Sequence, residues 1–149
     1  MSTTEPLRVA TTRFGAIEVP ATEAVLFDDG LLGFPDAQRF ALISVDDNTD
    51  LFWLQSIDDG TLAFLTTSPW ANFPEYEPDI PDSDREALGL DVPDDASVLC
   101  LLTVDRDRAL VTANLLGPVV INLKSRRARQ VVLHDQPWPI DARLGVLPC

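Results

Sequence analysis

The chain has 149 residues, of which 46% are hydrophobic, and its formal net charge is −13 at pH 7. This length favours one domain, and a charge of this sign and size repels phosphate backbones, so direct binding to nucleic acid is not expected. The acidity favours a basic protein partner, although acidic surfaces that serve only solubility have the same composition. Neither an apolar run of about 18 residues nor a signal-peptide pattern occurs, so we expect a cytoplasmic protein without membrane contact.

Short apolar segments bounded by turn residues fill the N-terminal half. Their lengths and their partial alternation of apolar and polar residues are typical of strands. Gly15 and the Asp-Asp-Gly run at 58–60 lie where hairpin turns are expected. We therefore predict strands over residues 7–13, 16–19, 24–27, 39–45, 51–57 and 62–66.

Two loops between these strands invite a functional interpretation. The loop 27–35 contains Leu31, Leu32 and Phe34, which either cap one end of a barrel or form an exposed binding patch. Capping is the preferred interpretation, because isolated apolar loop residues usually turn inward. The loop 46–50 resembles the start of a calcium-binding loop, but the glycine and the glutamate that should complete such a loop are missing, so we predict no metal site.

Residues 68–93 differ in composition from the flanking segments, because five prolines and three aromatic residues occur among them. Strands do not tolerate prolines at this density, so we predict an irregular excursion held over the barrel by its aromatic side chains. One short helix fits within it, over residues 81–89. Asp82 or Ser83 is expected to cap the start of this helix, and Gly89 is expected to end it.

Residues 97–133 are rich in Val and Leu and are divided by turn residues. We predict four strands here, 98–104, 109–115, 119–123 and 129–133, which form a meander in the wall of a barrel. The first of them is almost wholly apolar, so both of its faces are expected to be covered. The predicted fold class is therefore mostly β: a compact, single-domain, antiparallel β-barrel-like fold with one short helix in a proline-rich excursion.

The barrel-like domain is predicted to span residues 1–143, and residues 144–149 are predicted to form a flexible tail. Just before this boundary, Trp138 and Ile140 are expected to dock on the barrel.

Residues that most catalytic and metal sites require are scarce. His134 is the only histidine, and no nucleophile elbow, phosphate-binding loop or zinc-spaced Cys/His set occurs. Cys100 lies in an apolar strand and is interpreted as a core residue. We therefore predict that the protein is not an enzyme and has no cofactor, metal or catalytic residue. An enzyme that relies on the four Asp-Asp pairs stays open as an alternative.

Four of the eleven basic residues fall within six positions of one predicted turn: Lys124, Arg126, Arg127 and Arg129. A solvated hairpin tip is one interpretation. A site for an anion or an acidic peptide is the functional alternative.

Several short blocks in a fixed order resemble the flagellar assembly factor family, FliW. The clearest is TANLLGPVVIN at residues 112–122, followed by Gln130. Each block is weak alone, but their order and spacing are specific. The other blocks are residues 12–15, 27–34, 52–56, 62–64 and 76–77.

This resemblance implies a non-enzymatic β-barrel-like protein with two partners. Members of the family bind flagellin, which they also protect as chaperones, and CsrA, the carbon-storage regulator that represses translation by binding RNA. Flagellin that accumulates in the cytosol occupies the assembly factor and leaves CsrA free to stop flagellin synthesis. Export of flagellin reverses the exchange, so we expect a factor that sequesters CsrA and couples flagellin synthesis to export.

For the partner-binding surface we predict a rim that holds Phe34, Asn114, Leu116 and Pro118, with Tyr76 nearby. A purely structural role is the alternative for each of these residues. The free protein is expected to be a monomer. A small-ligand-carrying β-barrel, or another generic binding domain, is the alternative function.

Overall fold

The computed structural model describes residues 7–12, 14–20, 23–28, 30–31, 33–34, 36–44, 51–92 and 95–146. These residues form a mostly β structure with one α-helix. The strands are β1 Leu7–Thr11, β2 Gly15–Val19, β3 Val25–Phe27, β4 Arg39–Ser44, β5 Leu51–Ser56, β6 Ala63–Thr67, β7 Ala96–Asp105, β8 Leu110–Ala113, β9 Val119–Asn122, β10 Arg127–Gln130 and β11 Ala142–Val146. Helix α1 spans Asp82–Leu88, and a 3-10 helix spans Pro69–Ala71.

Seven strands close into a barrel in the order β3, β4, β5, β6, β7, β9 and β10, and β10 returns to β3. The closing pair of β10 and β3 is parallel, and each other neighbouring pair in the ring is antiparallel. The predicted barrel-like β fold is confirmed. Strands β1 and β2 form the predicted hairpin, which packs on the barrel through Val9, Val19 and Ala41.

Strand β7 organises the second half of the chain. Its residues 96–99 pair with β9 and its residues 102–105 pair with β8, so β8 and β9 lie end to end along one edge of β7. The four-stranded meander predicted for this segment is wrong, because β9 pairs with β7 and β10 rather than with β8. The chain turns out of line between β8 and β9, at residues 114–118, and we call this turn the corner.

Strand β9 is buried on both of its faces. Because successive strand residues point to opposite sides, Val119 and Ile121 lie in one hydrophobic cluster and Val120 lies in another. The inner core fills the barrel and includes Val25, Phe27, Leu31, Phe40, Leu54, Leu99, Val119 and Ile121. The outer core lies on the other side of β9 and includes Tyr76, Leu88, Cys100, Leu115, Val120, Val131 and Leu133.

Helix α1 begins and ends within the proline-rich excursion, as predicted, but its start differs from the prediction. Pro81 occupies the N-cap position, and no side chain caps the helix, so neither Asp82 nor Ser83 has the predicted role. Gly89 ends the helix with a φ of 66°, as predicted, because glycine adopts this left-handed conformation without steric cost. The Asn122 amide donates to the Leu88 carbonyl at 2.7 Å, which ties the end of α1 to β9.

Two strand predictions in the second half need correction. The far end of β7 is solvated, and Val104 there is 38% exposed. The prediction that both faces of this strand are covered therefore fails at this end. Strand β10 ends at Gln130, before the predicted end at 133. Val131 and Leu133 instead donate their N–H groups to the carbonyls of Pro118 and Leu116, which fasten the chain to the corner.

The last described strand extends past the predicted domain boundary. Strand β11 pairs with β8 as far as Val146, so residues 144–146 of the predicted tail form part of a strand. Trp138 docks against the outer core as predicted, whereas Ile140 is 63% exposed and does not. The calcium-like loop 46–50 and residues 147–149 lie outside the described residues.

Among the described residues, no helix reaches the length and apolar character needed to cross a membrane.

The variants Ile121→Ala and Leu123→Ala test the effect of burial at two nearby positions. Ile121 is 2% exposed, whereas Leu123 is 47% exposed. We expect Ile121→Ala to lower the free energy of unfolding by about 2–5 kcal/mol, since buried methyl groups are lost and a cavity is left. Leu123→Ala should change it by less than about 0.5 kcal/mol. Urea unfolding followed by circular dichroism measures both values, and equal losses would contradict the place of Ile121 in the inner core.

Candidate partner-binding surface

Tyr76 fastens the proline-rich excursion to the barrel. Its side chain is 2% exposed, and its hydroxyl donates to the Leu115 carbonyl at 2.6 Å. The Trp70 indole N–H donates to the Tyr76 carbonyl at 2.7 Å, and the Trp138 ring meets the Tyr76 ring edge-on with centroids 4.8 Å apart. Three segments distant in sequence therefore meet at one tyrosine.

The corner is held in one conformation by side-chain hydrogen bonds. The Asn114 Oδ1 atom accepts from the N–H of Leu116 at 3.1 Å and from the N–H of Gly117 at 2.9 Å. The Gln130 amide donates to the Gly117 carbonyl at 3.1 Å. A Cβ at Gly117 would lie 3.2 Å from the amide nitrogens of both Asn114 and Gln130, so glycine lets these two side chains approach the backbone. Pro118, the last residue of the corner, is buried.

Phe34 lies at the inner core rather than beside the corner. It forms an isolated bridge with Leu31, and its ring meets the Phe64 ring edge-on at 5.2 Å. Leu31 is 2% exposed and caps the inner core as expected, whereas Phe34 is 42% exposed. Leu32 lies outside the described residues.

The structure therefore brings four of the five predicted surface residues together at the corner, while the fifth, Phe34, contacts Phe64 and Leu31. Tyr76 contacts the corner directly, and Leu116 packs against the outer core. Asn114 and Leu116 are partly exposed, while Tyr76 and Pro118 are buried. Tyr76 and Pro118 thus support the surface, and the solvent-facing part of the prediction consists of Phe34, Asn114 and Leu116.

A groove over the outer core was missed by the sequence reasoning. It has a volume of about 470 Å³ and lies between the excursion, the segment after α1 and the outer face of β7 and β9. We call it the outer groove. Its apolar lining includes Trp70, Tyr76, Ile80, Val92, Val98 and Val120. The signal in the sequence is the aromatic content of the excursion, which also fits a complete cover over the barrel and so does not by itself indicate a groove.

The rim of the outer groove is acidic. Glu77, Asp79 and Asp91 line it, and all three are exposed. Arg85 is the cation among its lining residues, and this side chain pairs with Asp82 one turn away in α1. The groove therefore combines an apolar floor with carboxylates at its edge that form no ion pair within the described ranges.

The basic turn after β9 is neutralised from within the chain, because three of its four cations pair with carboxylates from separate segments. The Arg126 guanidinium donates to the Glu23 carbonyl at 2.9 Å. These contacts favour a structural role for the turn over an anion site. The ion pairs are Lys124–Asp95 at 3.2 Å, Arg127–Asp28 at 2.6 Å and Arg129–Asp84 at 3.1 Å.

The groups able to do chemistry are poorly placed for it. Burial raises the pKa of the Cys100 thiol to about 12, so the nucleophilic thiolate is suppressed. Burial likewise raises the pKa of Tyr76. His134 is exposed in a turn. Within the described ranges, no group of three or more His, Cys, Asp or Glu side chains is arranged to hold a metal ion.

Comparison with known proteins gives one consistent family. The family described as FliW protein matches residues 8–144. A flagellar assembly factor FliW from Syntrophus aciditrophicus is 37% identical over 134 residues, which are 90% of this chain and 85% of that protein. One from Bacillus subtilis is 33% identical over 135 residues, 91% of this chain and 94% of that protein. A crystal structure of a flagellar assembly factor FliW matches with a TM-score of 0.85 and 33% identity, covering 93% of this chain and 96% of that one.

Tyr76→Phe removes the hydroxyl that donates to the Leu115 carbonyl and that also has a hydrogen bond with the Cys100 thiol. Because a buried carbonyl then loses its donor, we expect the free energy of unfolding to fall by about 1–3 kcal/mol. Trp70→Phe is the comparison, since it removes a donor from a side chain that is 43% exposed, where water can take its place. Chemical unfolding should show the larger loss for Tyr76→Phe, and the reverse order would contradict the anchoring role of Tyr76.

Burial of Cys100 predicts a loss of stability in alkali. The folded chain keeps the thiol proton up to a pKa of about 12, while the unfolded chain releases it from its ordinary value of 9.0, so stability is full below pH 9 and falls as pH rises towards 12. Between about pH 8 and about pH 10, this thiol should cost about 1.4 kcal/mol. Urea unfolding should therefore show a steeper pH dependence for the native chain than for Cys100→Ala. Equal slopes would contradict the prediction.

Proposed function

The chain belongs to the FliW family of flagellar assembly factors, and from this membership we propose that it binds flagellin and sequesters the translational repressor CsrA in the cytoplasm. The observation that carries the proposal is the match of family and fold along residues 8–144. Through this exchange of partners the protein would couple flagellin synthesis to flagellin export.

The charge of the chain supports the repressor as one partner. A repressor that grips RNA must present basic residues, and the net charge of −13 attracts such a protein and repels RNA. The carboxylates around the outer groove concentrate this charge beside apolar surface. The chain would therefore compete for the repressor without touching nucleic acid itself.

Partner exchange needs only mass action. A protein that binds one partner is withdrawn from the other in proportion to the concentrations and affinities of both. Accumulated flagellin would occupy the chain, protect the flagellin from premature assembly and leave CsrA free to stop translation. Export would remove the flagellin, and the chain, a monomer when free, would take up the repressor again.

A binding function suits this chain better than catalysis. The relatives are named as assembly factors, the Cys100 thiol is buried, and the barrel interior is filled by side chains such as Phe27, Phe40 and Leu54. We propose that the protein is not an enzyme. Nothing about the filled inner core favours the alternative of a barrel that carries a small ligand.

We propose that the partner surface includes the exposed Phe34 and the partly exposed Asn114 and Leu116. Tyr76 and Pro118 would hold this surface in shape from below, since both are buried. Truncation of Phe34, which is 42% exposed, should weaken binding with little loss of stability. Changes at Asn114, Leu116 or Tyr76 should affect both, because these side chains also hold the corner or pack on the outer core.

Titration calorimetry of the chain with purified CsrA tests the electrostatic part of the proposal. We expect affinity to fall steeply between about 0.1 M and about 1 M salt, because the Debye length shrinks from about 10 Å to about 3 Å. Flagellin added to the complex should release CsrA, as followed by size-exclusion chromatography. Affinity independent of salt would count against an acidic interface, and failure of both partners to co-elute with the chain would overturn the proposed function.

A further inference from the structure

The outer groove exists because the cover over the outer core is incomplete. Tyr76 closes the part of this core next to the corner, but Val98, which is only partly buried, still lines the open groove beyond it. Trp70 and Val92 stand at the groove with 43% and 49% of their surfaces exposed. Apolar surface left exposed in a concave site, with polar residues around it, is typical of protein-binding sites.

The charges around the groove select the kind of partner. Glu77, Asp79 and Asp91 are exposed at the rim, and the pairing of Arg85 with Asp82 leaves no uncommitted cation among the lining residues that the structure describes. Burying these carboxylates against an apolar or acidic segment would cost desolvation energy that no interaction with an opposite charge would offset. A segment with Lys or Arg side chains would compensate them.

We propose that the outer groove binds a basic segment of a protein partner, in which one large apolar side chain fills the groove and flanking Lys or Arg side chains reach the rim carboxylates. This inference rests on the proposed function and refines it, because it assigns the outer groove to the RNA-binding partner and not to flagellin. The apolar side chain supplies affinity through contact with Trp70 and Val98, and the cations supply orientation and a fast encounter.

Val92→Arg and Val104→Arg form a matched pair that tests the position of the site. Both residues are exposed valines, at 49% and 38%, and both substitutions add the same charge, but Val92 lines the groove whereas Val104 lies at the far end of β7. With purified CsrA as the probe, we expect Val92→Arg to weaken binding at least about tenfold. The Arg side chain fills the groove and carries the same positive charge as the proposed partner segment. Val104→Arg should change the Kd by less than about twofold, since an exposed position away from the interface contributes little.

A second pair of variants tests the charge of the partner segment. Glu77→Gln, Asp79→Asn and Asp91→Asn, combined in one chain, neutralise the rim, and Glu18→Gln, Asp36→Asn and Asp107→Asn neutralise three exposed carboxylates elsewhere. Both triple variants change the net charge equally. A difference between their affinities for CsrA therefore shows that the position of the carboxylates matters. The rim variant should bind CsrA about tenfold more weakly at low salt and lose most of its salt dependence, while the control variant should stay close to the native chain.

The outcomes separate this inference from the proposed function. If the native chain binds CsrA and both groove variants bind it equally well, the groove assignment is overturned and the proposed function stands. If the groove variants lose flagellin but keep CsrA, the choice of the basic partner is overturned. If the native chain fails to bind CsrA at all, both fall. Thermal unfolding of each variant, expected within a few degrees of the native chain, excludes loss of folding as the cause.

Discussion

Strand β9 is buried on both of its faces, and this burial determines how the remaining segments pack. A barrel strand normally needs apolar cover only towards the interior, but here Val120 points outward and requires a second cover. The proline-rich excursion, the corner and the segment around Trp138 supply it, and the hydroxyl of Tyr76 joins the excursion to the corner. The irregular proline-rich excursion is therefore needed by the fold, because it covers the outer core.

The same constraint links the fold to function. Where the second cover stops, the outer groove leaves apolar floor beside exposed carboxylates. Three cations of the basic turn after β9 are paired with carboxylates of other segments, so they do not offset the charge of the rim. A surface of this kind can hold a basic protein by contact and charge alone, which suits a factor that acts by partner exchange.

Sequence patterns predicted the local elements well and the long-range pairings poorly. The alternation around Gly15, the proline density after Ser68 and the glycine at 89 each fix a conformation through nearby residues, so the hairpin, the excursion and the helix end followed from them. The end-to-end arrangement of β8 and β9 depends on pairing with β7, which no local pattern encodes. The outer groove escaped prediction for the same reason, since Trp70 and Val98 meet only through the tertiary fold.

Amide hydrogen exchange should be measured for the chain alone, with CsrA, and with CsrA plus excess flagellin. We expect CsrA to slow exchange in the excursion and in the first half of β7, around the outer groove, and flagellin to restore the exchange rates of the free chain. Protection confined to the β1–β2 hairpin, or protection that excess flagellin leaves unchanged, would contradict this expectation.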